Sequence, residues 1–82
     1  MYKNKACDGT NNISGKNIRK IRLNLKEKTS QRALADKMQL EGLELDKNSI
    51  QRIESGQRFI TDIELKKFAK VLGVSYDNLL DD

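Results

Sequence analysis

The sequence predicts an all-α fold built from five short helices. One observation is a recurring start signal, an apolar residue, then Ser, Thr or Asp, then an apolar residue four places further on. It occurs as Ile13-Ser14…Ile18, Leu45-Asp46…Ile50, Ile60-Thr61…Leu65 and Val74-Ser75…Leu79. The polar residue is an N-cap, whose side-chain oxygen accepts an otherwise unpaired helix N–H, and the flanking apolar pair is a hydrophobic staple. The other two observations are apolar spacing at helical period and the lack of any alternating apolar/polar run of the kind a half-buried strand needs.

The elements follow in order. Residues 1–12 are polar and are expected to form a mobile tail ahead of a single domain over 13–82. In the first helix Ile18, Ile21 and Leu25 share a face. Ser30 begins the second, where Leu34, Ala35 and Met38 share a face, although Thr29 stands where a staple residue is expected. Asp46 caps the third, with Ile50 and Ile53 on its inner side. Thr61-Asp62-Ile63-Glu64 is a capping box for the fourth, in which Leu65, Phe68, Ala69 and Leu72 repeat at i, i+3, i+4 and i+7. Tyr76, Leu79 and Leu80 make a short fifth. Gly42, Gly56 and Gly73 fall where helix ends call for a left-handed residue.

Composition narrows the function. The 82-residue chain has net charge +4, from 16 basic and 12 acidic residues. Between residues 14 and 29 six basic side chains face only Glu27, whereas 61–82 is net acidic. A basic end set against an acidic end suits a protein that turns one side to a polyanion, and an ordinary solvated helix face gives the same pattern. There is no histidine, and the one cysteine, Cys7, lies in the polar amino-terminal segment. A His/Cys metal cluster, a Ser-His or Cys-His nucleophile pair and an intrachain disulfide are therefore excluded, and neither enzymatic activity nor a cofactor is expected. "GTNNISGKN" (9–17) misses the glycine spacing of a phosphate-binding loop and has Asn17 where Ser or Thr would hold Mg²⁺. No apolar run approaches the roughly 20 residues of a membrane span and the start is no signal peptide, so a cytoplasmic protein is expected.

Five pieces of sequence in fixed order, "IRKIR" (18–22), "SQRALA" (30–35), "SIQRIESG" (49–56), Arg58 and "AKVLGVSYDNLL" (69–80), resemble the phage repressor and Cro-type helix-turn-helix family, often called Xre-like. The resemblance spans residues 14–80 and implies a compact five-helix, lambda-repressor-like DNA-binding domain. It implies double-stranded DNA as partner, helix 30–40 laid across the DNA backbone and helix 47–55 in the major groove. By matching positions, Lys47, Asn48, Gln51 and Arg52 would read bases, with Gln51 also able to reach a phosphate. Asparagine pairs bidentately with adenine and a basic side chain with guanine, which is the chemistry those positions need. Gln31, at the start of the second helix, together with Gln57 and Arg58, would contact phosphates. Arg22 and Glu54 would tie the first helix to the third. Asp46 would spend its carboxylate on capping, with a contact to a cytosine amine as the alternative. The bland reading of each is a solvated polar residue on an exposed helix.

Two departures from that family raise further expectations. Ala35 and Ile50 stand 15 positions apart, several more than usual, with the extra residues inside 39–45. The second helix is expected to reach Leu40 or Glu41 and to end at Gly42. Leu40, Leu43 and Leu45 should fold back onto the core, and Glu41 and Glu44 should point away from phosphates. The stretch from Arg22 to Ser30 is also longer than usual, so the first helix is expected to run on to about Lys26. One recognition helix reads only a few base pairs, so a transcriptional regulator of this kind is expected to act as a homodimer on a palindromic operator. The alternative is a protein-interaction or antitoxin-type module on the same fold, using the Leu-rich turn or the last helix as its partner surface.

Overall fold

The computed structural model describes residues 9–81. It contains five α-helices: α1 (Gly15–Leu23), α2 (Gln31–Leu40), α3 (Lys47–Glu54), α4 (Asp62–Leu72) and α5 (Tyr76–Leu80). No described helix is long and apolar enough to cross a membrane. One core gathers the inner face of every helix: Ile18 from α1, Leu34, Ala35 and Met38 from α2, Ile50 and Ile53 from α3, Phe68, Ala69 and Leu72 from α4, and Leu79 from α5. These are the residues whose spacing predicts a shared face, because side chains three and four apart stand above one another on a helix.

The caps explain where the chain becomes helical. The Ser30, Asp46, Thr61 and Ser75 side chains each accept a backbone N–H three residues on, from Ala33, Ser49, Glu64 and Asn78. Thr61 and Glu64 complete a capping box, and so do Ser75 and Asn78, a pairing not anticipated from the sequence. Gly42, Gly56 and Gly73 all have positive φ, of 89°, 81° and 68°.

The α1 start works differently. Ser14 stands at the N-cap position but its hydroxyl caps nothing. The Gly15 N–H donates instead to Asn12 Oδ1 at 2.7 Å. Asn12 Nδ2 also donates to the carbonyls of Ile53 (3.1 Å) and Arg58 (2.6 Å), so one side chain starts α1 and holds the end of α3. Asn11 adds bonds from its N–H to the Gly56 carbonyl and from Nδ2 to the Gln57 carbonyl, both at 2.8 Å. Residues 1–8 of the segment expected to be a mobile tail lie outside the described residues, whereas Asn11 and Asn12 are docked.

Gly15 belongs to the same contact. A Cβ there would overlap the Ile53 carbonyl oxygen, which is backbone and cannot rotate aside. Gly15→Ala should therefore push α1 off α3 and cost about 1–3 kcal/mol of stability. Urea denaturation tests this, and an undiminished midpoint would mean that α1 slides along α3 without loss.

Two expectations are corrected. α1 ends at Leu23, not near Lys26. The Asn24 N–H closes the last turn onto Ile21 at 3.1 Å, and its Nδ2 takes the Lys20 carbonyl at 2.8 Å. The chain then turns, leaving Leu25 partly buried against the core. In the enlarged turn, Leu45 is buried and Leu43 partly so, but Leu40 is 86% exposed. Leu40 lies two residues past the buried Met38, more than half a helical turn away from the core stripe, so α2 itself carries it outward.

Candidate nucleic-acid interface

α3 is amphipathic in the sense a reading helix requires. Ile50, Ile53 and Glu54 are buried, and Lys47, Asn48, Gln51 and Arg52 are exposed. At about 100° per residue, Asn48 and Arg52 lie opposite the Ile50–Ile53 anchor, with Lys47 and Gln51 on one flank. Ser55, three residues after Arg52 and seven after Asn48, falls on the same outward stripe and is exposed. Sequence reasoning missed it, although its i+7 spacing from Asn48 was countable.

The start of α3 is held by Asp46, whose Oδ1 accepts the Ser49 N–H at 2.7 Å. That backbone bond, helped by the Ser49 hydroxyl, keeps the Asp46 carboxyl below the usual carboxylate range. Glu44 lines an open notch beside it with Gln39, Asp46 and Ser49. Glu41 is drawn onto α4, with its Oε1 2.7 Å from Lys70 Nζ and 3.8 Å from Lys67 Nζ.

The end of α3 is held by a buried ion pair. Arg22 Nε lies 2.7 Å from Glu54 Oε2 and Nη2 lies 2.9 Å from Oε1, a fork-to-fork contact. The two side chains are 9% and 2% exposed. Arg22 Nη1 donates to the Thr29 carbonyl at 2.9 Å, and Gln31 Nε2 to Glu54 Oε1 at 3.0 Å. Hydrogen bonding to Glu54 raises the Arg22 pKa against the pull of burial. Four residues thus lock α1, the start of α2 and α3 into one unit. Sequence reasoning had not linked Gln31 or the buried Thr29 to this pair.

The positions singled out for phosphate contact are not all equally free. Gln31 is half-buried, with its amide turned onto Glu54 and its second amide hydrogen unused. Gln57 is exposed just past α3. Arg58 is forked onto Glu64, with Nη1–Oε1 at 3.0 Å and Nη2–Oε2 at 2.9 Å, and its side chain is 34% exposed. Glu64 also takes the Thr61 N–H at 3.0 Å. Burial pushes the Glu64 carboxyl up, but the Arg58 and Thr61 bonds outweigh it and leave it below its ordinary value of 4.5.

A pH dependence follows from Asp46 and Glu64. Each has a folded-state pKa below its unfolded one, so the stabilisation is complete above the ordinary carboxylate range and is lost as pH falls through the folded value. The melting temperature should hold from neutrality to about pH 5 and then fall. Glu64→Gln should flatten part of that fall. An equally steep decline in Glu64→Gln would assign it to other carboxylates.

A helix seated by its inner face, braced at both ends and showing a row of polar side chains to solvent, packed behind a second short helix, is the arrangement of a helix-turn-helix module. Residues 16–79 match the family model described as Helix-turn-helix, which covers most of the chain. The protein belongs to this helix-turn-helix family, in its repressor and Cro-type form. No curated protein and no solved structure matches the chain.

Proposed function

We propose that this protein is a sequence-specific transcriptional regulator that binds a palindromic operator as a homodimer, with α3 in the major groove. The observation that carries the reading is the outward stripe of Lys47, Asn48, Gln51 and Arg52 on a helix whose other side is locked by Ile50, Ile53 and Glu54. The major groove is wide enough for one α-helix, and amide and guanidinium forks match the base edges it displays. Rigid seating matters because a reading side chain on a loosely held helix would lose its register with the base edge.

Phosphate contacts position the protein and base contacts specify the site. Gln31 is suited to the first task, since Glu54 fixes its amide beside the exposed N-terminal N–H groups of α2, a natural anion site. Gln57 and Arg58 flank the other end of α3 and extend the same role. Glu41, held on α4, keeps its charge away from this face. The reading places the protein in the cytoplasm and needs no cofactor.

The rival reading, a protein-binding module using the Leu-rich turn, finds there only Leu40 fully exposed, with Leu43 and Leu45 turned inward. The deciding experiment is selection from a random duplex library near physiological salt, beside a Lys47/Asn48/Arg52 triple-alanine control. Enrichment of a palindrome by the parent protein alone supports the reading. Equal enrichment by both proteins, or none by either, overturns it. Affinity for the selected duplex should fall with salt at a slope of about −0.9 per phosphate neutralised, whereas leucine-driven protein binding would hardly respond.

A further inference from the structure

The bend that leads from α3 towards α4 is held by the chain that precedes α1. Asn11 donates from its N–H to the Gly56 carbonyl and from Nδ2 to the Gln57 carbonyl, both at 2.8 Å. Asn12 Nδ2 donates to the carbonyls of Ile53 at 3.1 Å and Arg58 at 2.6 Å. Thr10 lies so close to Gly56 that a Cβ on that glycine would come within 2.7 Å of the Thr10 Cβ and Cγ2. The N–H groups of the same bend are bonded to α3 instead. Those of Gln57 and Arg58 both go to the Arg52 carbonyl, at 2.9 and 3.2 Å. Gln57 and Arg58 are thus fixed at N–H by the reading helix and at C=O by residues 11 and 12. What is left to place is their side chains, and Glu64 places that of Arg58.

We propose that residues 10–12 are a strap that positions Gln57 and Arg58 for phosphate contact, with Asn11 and Asn12 as positioning residues that act through the bend. The proposal rests on the DNA reading above and deepens it. A phosphate contact forms only when the donor stands within about 3 Å of the oxygen, so the backbone that carries the donor has to be held. The bend itself is exposed at Ser55, Gln57 and Phe59 and has little packing of its own to hold it. The strap supplies what is missing. It also occupies the carbonyls of Gly56, Gln57 and Arg58, three partial negative charges that would otherwise be free to face a phosphate. Asparagine is the residue type this needs, because one short planar group offers both an acceptor and two donors. Asn12 uses both ends, with Oδ1 on the Gly15 N–H and Nδ2 on the two carbonyls. Asn12→Asp therefore separates its two tasks. It keeps the acceptor that starts α1 and removes the donor that grips the bend.

The test is a set of binding titrations of the full chain against the selected operator and an unrelated duplex, over a range of salt. Each variant is measured at a temperature where circular dichroism shows it folded. Asn12→Asp should weaken binding to both duplexes about tenfold, the worth of one hydrogen bond to a charged group, and leave their ratio unchanged. Its salt slope should be shallower by about 0.9 for each phosphate no longer held. Asn11→Ala loses the bond to the Gln57 carbonyl together with an Oδ1 that is buried without a partner among the described residues, so it should cost folding little. It should weaken both duplexes in the same way by a smaller factor, and it decides the matter if Asn12→Asp does not fold. In a Gln57→Ala/Arg58→Ala background, adding either strap change should weaken binding no further, although Asn12→Asp should still lower the urea midpoint. A strap that serves folding alone would weaken binding equally in both backgrounds or in neither, and either result overturns the proposal. A parent that binds no duplex overturns the DNA reading and the proposal with it. A parent that binds, with Asn12→Asp and Asn11→Ala binding equally well, leaves that reading standing and overturns the strap alone.

Discussion

Arg22→Ala and Glu54→Ala are each expected to destabilise the protein by about 3–5 kcal/mol, because either change leaves a charge buried without its partner. Domains of this size hold roughly 0.05–0.15 kcal/mol per residue in total, so either variant should sit at or near the edge of folding at 25 °C. The pair is far from a surface ion pair, which is worth at most about 1 kcal/mol. Here the side chains are 9% and 2% exposed, and the guanidinium is satisfied on both sides, by the Glu54 carboxylate and the Thr29 carbonyl. Removing both charges together, as Arg22→Met/Glu54→Leu, should cost less than the two single changes added, because neither charge is then stranded. It should still cost something, since the Thr29 carbonyl and the Gln31 amide lose their partners. Urea titration of the double beside Arg22→Met alone and Glu54→Leu alone closes the cycle. Singles costing under about 1 kcal/mol each would mean that water reaches the pair and that it does not lock the three helices.

Asn48→Ala and Arg52→Ala are each expected to weaken binding to the preferred operator by about 1–3 kcal/mol and to relax discrimination at one base position. Both residues project from the middle of the α3 outward face, so truncation leaves the Ile50–Ile53 anchor untouched and folding should hardly change. Gln31→Ala is expected to weaken all duplexes about equally, since a phosphate carries no sequence information. It should also loosen the start of α2 slightly, because Glu54 Oε1 loses one of its donors. Binding titrations against a panel of single-base operator variants distinguish the two classes. If Asn48→Ala and Gln31→Ala change the panel in the same way, the division between base reading and phosphate holding fails.

The helices were legible because their signals are local. Asp46, Thr61 and Ser75 cap N–H groups only three residues ahead, and a three-residue relation is visible in a line of letters. The same holds for the inner faces of α2, α3 and α4, whose period follows from helix geometry alone. Leu40 shows the limit of that reasoning. It was grouped with Leu43 and Leu45 by residue type, but the helix phase set by Met38 turns it to solvent. Asn24 shows another limit, since whether α1 stops there depends on where Leu25 and Thr29 must go.

The sequence by itself therefore determined the helix count, the helix starts, the inner faces of α2, α3 and α4 and most of the polar stripe on α3. Only the tertiary structure decided which charges are spent on holding the fold. Arg58 and Arg52 look alike as letters, yet Arg58 is forked onto Glu64 while Arg52 remains exposed. Gln31 and Gln57 look alike, yet Gln31 is turned inward onto Glu54. Asn12 reads as part of a polar leader, yet it grips carbonyls 41 and 46 residues away. The physical reason is desolvation. A polar side chain becomes structural when packing takes it out of water and obliges it to find a partner, and that burial depends on chain segments far away in sequence.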